Sequence, residues 1–110
     1  MYLNEFDATL KIIQGKWKTV ILYELYESKV VRFNAMREII GEISNKTLTH
    51  QLRELESDGL VIRTVHPTIP PHVDYELSEK GKTIIPVLNM ICDWGLENTD
   101  HDQLETTLCR

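Results

Sequence analysis

The sequence predicts a mainly α fold with a small antiparallel β-hairpin (α+β), and three observations predict it. The chain has 110 residues, 42% of them hydrophobic, which fits one folded domain with one modest core rather than a disordered chain. Leu48, Leu52 and Leu55 recur at helical spacing between Ser44 and Asp58, so that stretch has one apolar face. Leu60–Val65 and Val73–Leu77 read as two strands joined by the Pro-rich turn His66-Pro67-Thr68-Ile69-Pro70-Pro71-His72. A helix followed directly by a β-hairpin is the outline of a winged helix.

The remaining elements fall into place along the chain. Phe6, Leu10 and Ile13 share a helical face, with Asn4 or Asp7 as the start and Gly15 as the interruption. Lys16–Tyr26 forms the next helix, with Trp17, Ile21 and Leu25 at i, i+4, i+8 and Glu24 close to the apolar face. Val30–Phe33 is β-prone and short, enough for one strand pinning the base of the hairpin. Asn34 is positioned to cap a helix through Ile40, with Met36, Ile39 and Ile40 facing inward. Gly41-Glu42-Ile43 then makes the turn into the helix capped by Ser44, which gives a helix-turn-helix outline. Asp58-Gly59 stops that helix, because glycine accepts the left-handed conformation. Ser78 caps the last long helix, whose stripe is Ile84, Val87, Leu88, Ile91 and Trp94, with Ile85, Cys92 and Leu96 beside it. Pro86 lies inside and is expected to kink it or free a carbonyl. The expected division is a domain over residues 1–98 and an acidic C-terminal tail over 99–110, either a short helix or frayed.

Charge distribution matters more than its total. The net charge of −5 argues against a nucleic-acid partner. Residues 93–110, however, carry five acidic groups against Arg110 alone, whereas residues 29–66 carry six basic and five acidic groups. A positive surface therefore depends on spatial arrangement. At 100° per residue, Lys46, Thr49, His50 and Arg53 point away from the leucines, and a helix with a packed back and such a front suits the major groove of DNA.

Gly15-Lys16-Trp17, Arg32-Phe33, Ile43-Ser44, Leu52-Arg53-Glu54-Leu55-Glu56, Asp58-Gly59-Leu60, Pro70-Pro71, Val73, Tyr75, Gly81 and Trp94 together resemble the HxlR-type (MarR-like) bacterial transcriptional regulators. The likeness runs from about Asp7 to Trp94. It implies a winged helix-turn-helix protein, dimeric through its N- and C-terminal helices, that binds double-stranded operator DNA. Because dimer and DNA helices share one small core, a small-molecule effector or modification that shifts the terminal helices is expected to change the affinity. The helix matching Ser44–Asp58 would enter the major groove, and the hairpin matching Leu60–Leu77 would be the wing. Several such regulators carry a Cys-Pro pair before the first helix for sensing oxidants; here Leu3-Asn4 stands in that place.

The expected DNA-binding residues are Ser44, Asn45, Lys46, Thr49, His50 and Arg53 on that helix, Arg63 on the wing, and Lys16 and Arg32 at the flanks, with Lys18 and Arg37 as further flanking cations. Each has a competing reading. The helix front could be a solvated face, Arg53 could pair with Glu56, and Arg63 could pair across the hairpin with Asp74 or Glu76. The wing tip has no Lys or Arg, so an arginine in the minor groove is not expected there.

Other chemistries have little support. His50, His66, His72 and His101 show no metal-ligand spacing, so no metal or other cofactor is expected. Cys92 and Cys109 are expected as reduced thiols, Cys92 as a small buried hydrophobe. The five glycines are scattered, and no nucleophile or metalloprotease motif is present, so the chain is not read as an enzyme. No apolar run is long enough for a membrane span and no signal pattern starts the chain, so a cytoplasmic location is expected.

Overall fold

The computed structural model describes residues 1–109; Arg110, the end of the expected tail, lies outside the described residues. The order of elements is α1 (Glu5–Ile13), α2 (Lys18–Ser28), β1 (Val30–Arg32), α3 (Phe33–Ile40), α4 (Asn45–Ser57), β2 (Val61–His66), β3 (His72–Leu77), α5 (Glu79–Thr83) and α6 (Ile85–Asn98). The three strands form one antiparallel sheet in the order β1-β3-β2, with Val31 opposite Tyr75 and Arg63 opposite the same Tyr75 from the other side. This is a winged helix-turn-helix.

Helix α4 is the packed centre. Leu48, Leu52 and Leu55 are almost fully buried, against a core that includes Ile21, Leu22 and Leu25 of α2 and Met36 of α3. Each such burial removes a leucine or isoleucine side chain from water, worth roughly 1.5–3 kcal/mol before entropy. Ser44 caps α4 by accepting from the Thr47 amide at 3.1 Å. At the other end, Gly59 takes φ 80°, and the amides of Gly59 and Leu60 donate to Glu56 O and Leu55 O. This reversal satisfies two terminal carbonyls and turns the chain straight into β2.

Several local expectations change. α3 begins at Phe33 because β1 runs directly into it, so Arg32, not Asn34, holds the N-cap position, and no side chain caps that end. Ile39 faces solvent, leaving Met36 and the half-buried Ile40 to hold α3. On α1, capped by Asn4, only Ile13 of the expected stripe is buried. α2 starts and ends two residues later than the periodicity suggests, and Glu24 is accommodated by a hydrogen bond from Ser28 Oγ at 2.8 Å. The long terminal helix is two helices. α5 ends before Ile84, and Pro86 sits in the first turn of α6, where no amide is required of it.

The cysteines are not free. Cys92 on α6 is joined to Cys109 by a disulfide, with 5.8 Å between the Cα atoms, so the segment after α6 folds back along that helix. The reduced-thiol expectation fails because a spacing of 17 residues says nothing about a chain reversal that only folding produces. Between the end of α6 and Cys109 lies a 3-10 turn, His101–Gln103. No helix among the described residues is long and apolar enough to cross a membrane.

Candidate nucleic-acid interface

The front of α4 is open. Lys46 and Arg53 are exposed, the His50 side chain is 68% exposed, and Thr49 is half-buried between them. Ser44 and Asn45 stand at the N-terminus of α4 with prior duties. Ser44 Oγ is spent on the cap and also donates to Thr47 Oγ1 at 3.0 Å. Asn45 Oδ1 accepts from Arg37 Nη1 at 2.9 Å, which ties α3 to α4 and leaves the Asn45 amide nitrogen for another partner.

Between α4 and the hairpin lies an open cleft of about 950 Å3. Arg32, Thr49, Arg53, Arg63, His72 and Tyr75 are on its walls. Three of the expected cations therefore come from β1, α4 and β2 to one groove. Arg53 makes no ion pair with Glu56 among the described residues, although both border the cleft. Arg63 does not pair with Asp74 or Glu76 either. Strand alternation puts Arg63 on the face of its register partner Tyr75, while Asp74 is opposite Thr64 and Glu76 opposite Ile62, on the other face. Arg32 is exposed, with Nε 4.0 Å from Asp74 Oδ1, a long contact that leaves most of its donors free. Lys16 precedes α2, lies over the Trp17 ring at 4.7 Å and does not border the cleft.

The flanking cation Lys18 is elsewhere altogether. It is 5% exposed, and its Nζ lies 3.3 Å from Glu54 Oε1. The same carboxylate oxygen lies 3.3 Å from His50 Nε2 on the next turn of α4. Glu54 thus links the buried face of α2 to the open face of α4. Helical periodicity could place Glu54 at the flank of α4, but not Lys18 beneath it, because the pair joins two elements.

One constellation escaped sequence reasoning. His66, His72 and Asp74 each offer a ligand atom within 4.8 Å of the others, a proximity that helical or loop spacing of the histidines does not reveal. The signal was in the hairpin itself. Extending each expected strand by one residue puts His66 opposite His72, and Asp74 two residues on shares their face.

Comparisons with known proteins identify the family and the fold. The family model described as HxlR-like helix-turn-helix matches residues 12–103. The HTH-type transcriptional regulator BH0655 of Halalkalibacterium halodurans is 47% identical over 96 residues, covering 87% of this chain and 85% of that protein. The HTH-type transcriptional regulator YdeP of Bacillus subtilis is 46% identical over 100 residues, covering 90% and 77%. Among solved structures, the redox regulator HypR in its reduced form superposes with a TM-score of 0.83 at 40% identity, covering 91% of this chain and 98% of that one. With the fold and these relatives in agreement, the chain belongs to the HxlR-like helix-turn-helix family of transcriptional regulators.

Proposed function

We propose that this regulator is a homodimeric, cytoplasmic repressor that binds a pseudo-palindromic operator, with α4 in the major groove and the β2–β3 hairpin as the wing. The observation that carries the reading is the two-sidedness of α4: Leu48, Leu52 and Leu55 anchor it, and Lys46, Thr49, His50 and Arg53 project from its free face. Lys46, Arg53, Arg63 and Arg32 would supply phosphate or guanine contacts, while Asn45 and Thr49 are short enough to approach base edges. Ser44 serves by holding the first turn, and Lys16 lies at the periphery.

Dimerisation is supported by what the single chain leaves uncovered. Phe6 on α1 is 77% exposed and Trp94 on α6 is 68% exposed, with Leu10, Met90 and Ile91 also in solvent. Apolar surface of this kind on terminal helices favours a partner. Two α4 helices about 34 Å apart would read successive turns of B-form DNA, and each half alone offers few cations. An effector that shifts the terminal helices would alter that spacing and so the affinity.

The test is selection from a randomised duplex library followed by gel shift. The wild type should enrich an inverted repeat and bind it as a dimer, and Lys46→Glu should abolish binding while sedimentation still reports a dimer. Unchanged affinity in Lys46→Glu removes α4 from the groove. The competing reading is a winged helix that binds another protein; the net charge of −5 and the exposed Ile69 at a wing tip without Lys or Arg favour it. Failure to enrich any duplex at low salt would leave that reading standing.

A further inference from the structure

We propose that His66, His72 and Asp74 form a site for a zinc-like divalent transition-metal ion at the loop end of the wing hairpin. Three observations converge there. His66 and His72 are the last register pair of the hairpin, and their rings stack with centroids 4.4 Å apart and planes 19° apart. Asp74 Oδ2 lies 2.9 Å from His66 Nε2 and 3.8 Å from His72 Nε2. The other oxygen, Asp74 Oδ1, is buried and among the described residues has no hydrogen-bond partner, with Arg32 Nε no nearer than 4.0 Å. A simple surface Asp–His pair would need one histidine and would leave neither a second imidazole nor a buried carboxylate oxygen without a hydrogen bond.

Two imidazole nitrogens and one carboxylate, with water in the fourth position, make a donor set suited to Zn2+, Co2+ or Ni2+ rather than to Ca2+ or Mg2+, which prefer all-oxygen shells. Tetrahedral bonds of about 2.0–2.1 Å place ligand atoms about 3.4 Å apart. The three ligand atoms, within 4.8 Å of one another, reach that spacing by ring rotations of about an ångström in half-buried side chains. His72 Nδ1 lies 3.3 Å from Thr68 Oγ1, which in turn donates to Pro70 O at 2.8 Å, so the outer nitrogen of one ligand is already coupled to the loop.

The consequence is mechanical. The ion would join the two strands where the loop leaves them, and Thr68, Pro70, Pro71 and His72 border the cleft facing α4. Metal loading would therefore fix the wing side of that cleft. Binding is measured on the metal itself, so this proposal stands or falls separately from the operator reading.

The experiment uses the full, tag-free, disulfide-bonded chain stripped with EDTA and dialysed. Titration with Zn2+, and with Co2+ followed by its visible absorption, should show one saturable site per chain. Long-range 1H–15N spectra should show the rings of His66 and His72 moving at one equivalent of Zn2+, with those of His50 and His101 unmoved. His72→Gln and Asp74→Asn should weaken binding by at least roughly tenfold with unchanged circular dichroism, and His101→Gln should bind as wild type. Absence of saturable binding up to millimolar Zn2+, movement of His50 or His101 instead, or wild-type affinity in His72→Gln each overturns the site. The ring spectra need no variant, so a misfolded substitution cannot obscure the outcome.

Discussion

Replacing Glu54 by Gln tests a charge contact that crosses from the core to the open face. Lys18 is 5% exposed, and its ammonium has Glu54 Oε1 at 3.3 Å. Removing one partner of a fully buried ion pair costs about 3–5 kcal/mol because the other charge is stranded. An exposed pair is worth only about 0–1 kcal/mol. The Glu54 side chain is 45% exposed, so water screens the pair from one side, and Gln retains a carbonyl oxygen for the ammonium. The expected loss is therefore intermediate, about 1–3 kcal/mol. For a chain of this length, 1 kcal/mol shifts the melting temperature by about 4 °C, so Glu54→Gln should melt about 4–12 °C lower. Thermal and urea denaturation followed by circular dichroism would measure it. Lys18→Met removes the buried charge and should be near neutral, and in that background Glu54→Gln should cost little, a coupling of about 1 kcal/mol or more. A melting shift within about 2 °C, or strict additivity of the two substitutions, would refute the idea that Glu54 holds a buried ammonium.

Other perturbations probe the joints around the interface. Gly81→Ala puts a Cβ into the backbone carbonyl of Leu60, 3.0 Å from Leu60 C, and 3.3 Å from the side-chain Cδ2 of Leu77; relieving the Leu60 clash requires backbone to move, so a loss of about 1–3 kcal/mol or more should appear in urea melts. Leu52→Ala hollows the buried side of α4 and should cost about 2–5 kcal/mol by the same measurement. Cys109→Ser opens a closure spanning 17 residues and should lower stability by up to about 3 kcal/mol, with helix content retained by circular dichroism. Arg53→Ala should weaken duplex binding across sequences or relax one base position, and a phosphate role would lower the salt slope by about one unit.

Sequence by itself determined the elements whose rules are local. Leucine periodicity, the Ser44 cap and the Asp58-Gly59 stop defined α4 to within a residue, because each signal lies in the backbone it controls. Two strand-like runs joined by a Pro-rich turn likewise placed the hairpin to within a residue, and helical periodicity put Lys46, His50 and Arg53 on the exposed side of α4. Local rules failed where the neighbour was distant. Ile39, Phe6 and Trp94 carry helical apolar spacing, yet a single chain leaves them in solvent, since periodicity names a face but not what covers it. Pro86 starts a helix instead of kinking one, because the break at Ile84 came first. Only the tertiary structure decided that Lys18 is buried under Glu54, that Arg63 looks toward the cleft, that Cys109 returns to Cys92, and that His66, His72 and Asp74 converge. The first depends on how two helices pack and the third on a chain reversal; the other two depend on strand register, where a shift of one residue moves a side chain to the opposite face.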